Sequence, residues 1–268
     1  MPAREGRGIH VELCLVLPIR QPNPLQRLFV VAVERVGDQL TAQKIGLHDA
    51  RDFRVVPLLN PGMAAVIECA KPPTRMKNDC VGWQGESWKA YQESMPSNCD
   101  KSDSGEYTVR HNPAPYYTSL SEYASRDVPY TQLSADLARS TLPAFSFITP
   151  NLIDDMHDGT IAQGDAWLAR NLPAILNSHE YKAGTTAVFI TWDEGSGGFL
   201  LEDCDDPGVT DTSCLVPTIV ISPSTPTGTT SGTFFDHYSL LATTEQLLGL
   251  PKLRSASSAT SMTAAFHL

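Results

Sequence analysis

Three stretches of the chain are almost continuously apolar, and all three are short: Ala144-Phe-Ser-Phe-Ile-Thr149, Thr186-Ala-Val-Phe-Ile-Thr-Trp192 and Val216-Pro-Thr-Ile-Val-Ile-Ser222. Short apolar runs without alternation predict strands covered on both faces. Between the first and second, Gly164 to Ser178 carries Trp167, Leu168, Leu172, Ile175 and Leu176 at helical spacing. That pattern predicts an amphipathic helix, bent by the internal Pro173. Leu133 and Leu137, four apart, predict a helix over Thr131 to Ser140. A last helix is expected from Tyr238 to Leu248, closed by Gly249. Glu86 to Ser94 reads as a short helix or strand stopped by Met95-Pro96, and Tyr116 to Ala124 as the approach to a loop. Strand, helix, strand, strand, helix with buried strands is the α/β pattern. The tail after Arg254, rich in Ser, Ala and Thr, is expected to fray.

The first 79 residues are less regular. Leu25 to Val33 and Val55 to Leu59 are strand-like, but Pro57, Pro61, Pro72 and Pro73 break the pattern. Charge also changes near this point. The net charge of −10 divides into about +3 over residues 1–79 and about −13 over residues 80–268, an asymmetry that marks two segments of different character. The expected organisation is a distinct N-terminal segment over 1–79, a main region over 80–254 and the tail over 255–268. A strongly acidic main segment argues against a nucleic-acid backbone as partner. No apolar run approaches the roughly 20 residues that span a bilayer. Leu13 to Ile19 is apolar but short, and no cleavage site follows it, so no signal peptide is read. The six cysteines include no Cys-x-x-Cys. Cys204 and Cys214 flank a polar loop suited to a disulfide, and Cys80 with Cys99 is a second candidate pair; free thiols of a cytosolic protein are the alternative.

The chemistry concentrates beyond the ends of the predicted strands, where ligands bind in open α/β sheets. Asp154, Asp155, His157 and Asp158 follow the first apolar run. Three carboxylates so close together repel unless a cation or solvent relieves them. Oxygen ligands with one imidazole suit Mg²⁺, Ca²⁺, Mn²⁺ or Zn²⁺; a solvated acidic turn capping the next helix is the plainer reading. Asp193 and Glu194 leave the second run in Trp192-Asp-Glu-Gly-Ser-Gly-Gly198. Two acidic exits from successive strands of a parallel sheet favour a shared cation. His111 and Asn112 are held extended before Pro113, and His111 with Arg110 would stabilise developing negative charge or a leaving group. His237 stands at a helix start, beside Asp236, as a ligand or a surface residue.

Several of these segments together resemble the bacterial phosphoesterase family of non-haemolytic phospholipases C and acid phosphatases. They are Ser87-Trp-Lys-Ala-Tyr91, Arg110-His-Asn-Pro113, Phe145-Ser-Phe-Ile-Thr-Pro-Asn-Leu152, Asp155-Met-His-Asp-Gly159, Gly164-Asp165, Thr191-Trp-Asp-Glu194, His237-Tyr-Ser-Leu-Leu-Ala-Thr-Thr-Glu245 and Leu248-Gly-Leu250. The resemblance spans roughly residues 80 to 253. It implies an alkaline-phosphatase-like α/β/α sandwich that hydrolyses phosphomonoesters or phospholipid-type phosphodiesters, in a secreted or cell-envelope location. By position it implies Asp193 and Glu194 as ligands of one or more divalent metal ions. His111, His157 and Asp155 become catalytic residues, and Arg110, Asn112 and His237 substrate contacts.

The N-terminal third departs from the family. The family opens on a strand ending in Met-Glu-Asn, followed by a Ser or Thr nucleophile. Here Phe29-Val-Val-Ala-Val-Glu34 echoes that strand, but Arg35 replaces the Asn. Thr41 and Thr74 are the only hydroxyl side chains in residues 1–79, and neither has the expected context. The resemblance therefore implies a sheet incomplete at its N-terminus. The leading expectation is a metal-dependent phosphoesterase. A remnant binding metal or phosphate without turnover is the alternative, and a binding protein with structural Ca²⁺ is a third reading.

Overall fold

The computed structural model describes residues 27–33, 55–59, 87–116, 123–193, 195 and 214–268. Among them seven strands form one sheet: β1 (Arg27–Val33), β2 (Val55–Leu59), β3 (Trp88–Gln92), β4 (Asp127–Pro129), β5 (Phe145–Thr149), β6 (Thr186–Trp192) and β7 (Leu215–Ile221). Their order is β2-β7-β6-β1-β5-β3-β4. β1 pairs in parallel with β5 and β6, and β3 pairs in parallel with β5 and β4. β7 runs antiparallel to both β6 and β2. The N-terminal third thus contributes β1, which takes the centre of the sheet.

The three apolar runs become β5, β6 and β7, and every residue of β5 and β6 is buried. Strands buried on both faces are what continuous apolar runs require. Glu86 to Ser94, ambiguous in sequence, resolves to β3 because it inserts beside β5 in register, Ala90 against Phe147.

Six α-helices accompany the sheet in the described residues: α1 (Tyr123–Arg126), α2 (Gln132–Arg139), α3 (Ile161–Leu176), α4 (His179–Lys182), α5 (His237–Leu248) and α6 (Thr263–Phe266). Helix α3 begins earlier than its apolar stripe suggested. Thr160 accepts from the Gln163 backbone N–H at 3.3 Å, and the Gln163 side chain accepts from the Thr160 N–H at 2.8 Å. This reciprocal cap satisfies two donors that a helix start otherwise leaves open. Trp167, Leu168, Leu172 and Ile175 face the core. Helices α2 and α3 cover one face of the sheet. Asp136 of α2 accepts from Lys89 Nζ at 2.5 Å and Tyr91 Oη at 2.8 Å, and Trp167 of α3 donates to Glu93. Residues 89, 91 and 93 alternate in β3 and its exit, so they share that face. Helix α5 starts on Asp236, which accepts from the Ser239 N–H, and ends on Gly249 in the left-handed conformation at φ +67°.

Two expectations are corrected. The tail does not fray: Ala256, Met262 and Phe266 are buried, and Phe266 stacks near Phe235 with ring centroids 6.2 Å apart. Its apolar side chains are sparse but belong to the core, which the Ser/Ala/Thr-rich composition conceals. Cys99 is not half of a disulfide; its thiol Sγ lies 3.7 Å from the Asp127 carbonyl oxygen. Cys80 and Cys204 lie outside the described residues.

Candidate active site

Parallel strands bring the exits of β1, β3, β4, β5 and β6 to one edge of the sheet. The β5 exit is organised by Asn151. Its side-chain Oδ1 accepts from the N–H groups of Ile153 and Asp154, both at 3.0 Å. Its Nδ2 donates to Ser94 and Glu106, and its backbone N–H donates to Glu93. The Asp155 N–H donates to the Asn151 carbonyl at 2.8 Å, closing the turn. Burial raises the Glu93 carboxyl above the usual carboxylate range, while the Asn151 N–H and the Trp167 indole pull it back.

Backbone shape then sets the direction of the reactive side chains. Met156 has φ +76°, a left-handed conformation that costs a non-glycine residue about 1–2 kcal/mol. Its side chain is buried and lies against Gly164 of α3; a Cβ there would stand 2.5 Å from Met156 Cε. Gly159 admits the Ile153 carbonyl oxygen, which a Cβ would meet at 1.9 Å. The kink at Met156 turns Asp155 inward, where it is fully buried, and leaves His157 partly exposed. Asp155 Oδ1 accepts from the His157 backbone N–H at 2.7 Å, bridging the kink.

The second segment of the site is the short 3₁₀ turn Val109–His111. Asp103 holds it by accepting from the Val109 N–H at 2.8 Å and the Thr108 hydroxyl at 3.0 Å. Those bonds lower the Asp103 pKa. His111 is buried and lies 3.0 Å, Nδ1 to Oδ2, from Asp155. His157 Nδ1 lies 2.7 Å from Asp158 Oδ1. A carboxylate beside each Nδ1 selects the Nδ1–H form, so both Nε2 atoms carry lone pairs. Those lone pairs meet Arg110. Its Nε–H donates to His111 Nε2 at 3.1 Å, and its Nη2 lies 3.2 Å from His157 Nε2. The two rings are 5.6 Å apart.

The predicted catalytic residues His111, His157 and Asp155 therefore converge, with Arg110 among them. Asn112 is placed elsewhere. It is fully buried, and its Nδ2 lies 3.0 Å from both Asp127 carboxylate oxygens and from the Tyr107 hydroxyl. Its Oδ1 accepts from the Ala114 N–H. Both ends of the amide are engaged inside the protein, so the substrate contact expected of Asn112 is replaced by an anchoring role. Burial raises Asp127 to about 7, with the Asn112 amide pulling the other way.

Asp193 stands at the β6 exit, with its Oδ1 shut away from solvent. Glu194 lies outside the described residues. His237, at the start of α5, is 2.8 Å through Nε2 from the Asp193 carbonyl oxygen. Nε2 must donate there, which leaves Nδ1 as a lone pair, buried and without a partner among the described residues. Burial lowers the His237 pKa, in keeping with a neutral ring. Through Nε2, His237 is thus tied to the chain beside Asp193. Asp155 spends its carboxylate on His111 and the His157 N–H, and the described residues contain no group of three or more His, Cys, Asp or Glu side chains arranged for a metal ion. The residues missed by pattern alone are Glu93, Asp103 and Asn151. Each lies next to a strand exit or turn, and that position was the available signal.

An open, mainly parallel sheet covered on both faces, with its polar cluster at the carboxyl edge, defines an alkaline-phosphatase-like α/β protein. A solved protein of the alkaline phosphatase superfamily from Vibrio parahaemolyticus has the same fold: TM-score 0.50 at 13% identity, covering 87% of this chain and 70% of that one. The sequence profile of the Phosphoesterase family matches residues 78–251, and the chain belongs to that family. Its relatives include a phosphatidylinositol-3-phosphatase of Mycobacterium tuberculosis, 32% identical over 67% of this chain and 54% of that protein. A phosphate-repressible acid phosphatase of Penicillium chrysogenum is 33% identical over 62% of this chain and 40% of its own length. The chain thus spans about half or less of the curated relatives it matches.

Proposed function

We propose that this chain carries the active site of a phosphate-ester hydrolase dependent on a divalent metal, acting on phosphomonoesters or phospholipid-type phosphodiesters. The supporting observation is the pair of carboxylate-backed imidazoles, His111 with Asp155 and His157 with Asp158, joined by Arg110 at the carboxyl edge of the sheet. Hydrolysis must deliver a proton to the departing alkoxide, and imidazoles oriented by carboxylates suit that task. Arg110 supplies the charge and the parallel donors that recognise a phosphoryl group.

Asp193 fits a metal by its donor chemistry, because a carboxylate oxygen shut away from solvent at a strand exit suits a hard cation. Asp193 and Glu194 would hold the ion, and His237 would fix the peptide beside them. When bound, the metal supplies Lewis-acid polarisation of a phosphoryl oxygen. The family likeness also supports a secreted or cell-envelope location, and the polar loop between Cys204 and Cys214 suits a disulfide there. Among the described residues, no helix is long and apolar enough to cross a membrane.

The test is release of nitrophenol from its phosphate ester, with and without chelator, in wild type, Asp193→Ala and His111→Ala. Activity restored by added divalent metal is expected, with losses of about 10²–10⁴-fold in His111→Ala and no metal response in Asp193→Ala. Metal or phosphate binding without turnover in the folded wild type would instead identify a non-catalytic relative.

A further inference from the structure

The contacts of Arg110 carry an inference that rests on the hydrolase reading. A guanidinium has two edges on which paired N–H bonds can grip two oxygens of an oxyanion, Nε–H with Nη2–H and Nη1–H with Nη2–H. In this structure both atoms of the first edge are engaged by imidazole nitrogens, Nε with His111 at 3.1 Å and Nη2 with His157 at 3.2 Å. The same edge cannot hold two imidazoles and a phosphoryl group at once.

We propose that Arg110 is a substrate-operated release for the two histidines. In the free protein the guanidinium covers both Nε2 lone pairs. An arriving phosphoryl dianion competes for the same edge. Arg110 is positively charged and the arriving group negatively charged, so Coulomb attraction adds to the hydrogen bonds for the anion and not for a neutral imidazole, and the anion is the better acceptor. Once the guanidinium turns to it, both Nε2 atoms are exposed beside the ester and free to take up a proton from solvent. The Nδ1 partners Asp155 and Asp158 keep the rings in place during the exchange. The remaining carboxylates nearby, Asp103 and Asp154, have partners of their own: Asp103 holds the Val109 turn, and Asp154 lies 3.8 Å from Arg170. The release therefore links substrate arrival to the availability of both proton carriers, so that they are not presented to water when the site is empty.

The direct test follows the imidazole nitrogens by NMR in ¹⁵N-histidine-labelled protein titrated with inorganic phosphate. In wild type, the Nε2 signals of His111 and His157 should move together with a single half-saturation. In Arg110→Gln, shown to be folded by circular dichroism, both signals should be displaced before phosphate is added, and phosphate should bind about tenfold or more weakly, as loss of a charged hydrogen bond implies. Arg110→Lys keeps the charge without the fork and should displace at least one of the two signals. Coincident Nε2 signals in phosphate-free wild type and Arg110→Gln would overturn the proposal. So would phosphate binding that leaves the wild-type signals unmoved, since the guanidinium would then be using its other edge, and so would an absence of phosphate binding. The readout requires no turnover. A protein that shows the exchange but does not hydrolyse nitrophenyl phosphate refutes the hydrolase reading and keeps the release, and the reverse result does the opposite.

Discussion

Asp127 offers the most quantitative test of how the site is supported. Its side chain is fully buried in β4, and its two carboxylate oxygens face the single amide of Asn112, the residue after His111. Burial lifts its pKa from 3.8 to about 7. In the unfolded chain the group loses its proton near its ordinary value, so between these two limits the folded state holds more protons. Stability must then fall as pH rises through that window. Applying the linkage relation to those two values, the fall attributable to Asp127 between pH 5 and pH 8 is on the order of 2–3 kcal/mol. Asp127→Asn removes the titration. The variant also loses about 1 kcal/mol of hydrogen bonding, because its NH₂ group cannot accept from Asn112 whereas either oxygen of the acid can. Denaturant unfolding of both proteins in chelator, at several pH values, checks this. Other titrating groups cancel in the difference. Asp127→Asn is expected to be the less stable protein near pH 5, and the gap should close or reverse near pH 8. A difference independent of pH would refute the claim that this carboxyl is buried with an altered affinity for protons.

Three further outcomes follow from the backbone around the site. Gly159→Ala places a methyl group against the Ile153 carbonyl, and should cost about 1–3 kcal/mol and most of the nitrophenyl phosphatase activity. Gly164→Ala meets only the movable thioether of Met156, so it should be milder in chemical denaturation while still lowering turnover. Asp103→Ala removes the acceptor of the Val109 turn. Because folding lowers the Asp103 pKa, its contribution is present above the ordinary value of 3.8 and lost as pH falls through the folded value. The difference in melting temperature between wild type and Asp103→Ala should therefore shrink below about pH 4.

The elements most legible in the sequence are those whose burial is symmetric. β5, β6 and β7 are apolar on both faces and stand out as runs. β3 was ambiguous because five residues carry too little periodicity to separate a strand from a helical turn, and pairing with β5 decides it. The start of α3 was written in Thr160 and Gln163, three residues apart, but the apolar stripe drew attention to Gly164. In the site, Asp155 and His157 are recognisable as reactive types at a strand exit, and His111 as one held before Pro113. The partners that orient them were harder to see. Asp127 lies in a three-residue strand, and nothing local announces that its carboxylate meets Asn112. The role of His237 depends on a carbonyl 44 residues away in sequence, a contact that only the folded chain creates.

Met156 sits between two residues of the polar cluster, yet its thioether is part of the hydrophobic interior. The packing of α3 and the aim of His157 are therefore set by one mechanical linkage, and neither can be altered independently. A search for variants with new substrate preference should find compensating changes on the inner surface of α3, where Gly164 meets the Met156 thioether. Conversely, substitutions selected there only for thermal tolerance should alter turnover as a side effect.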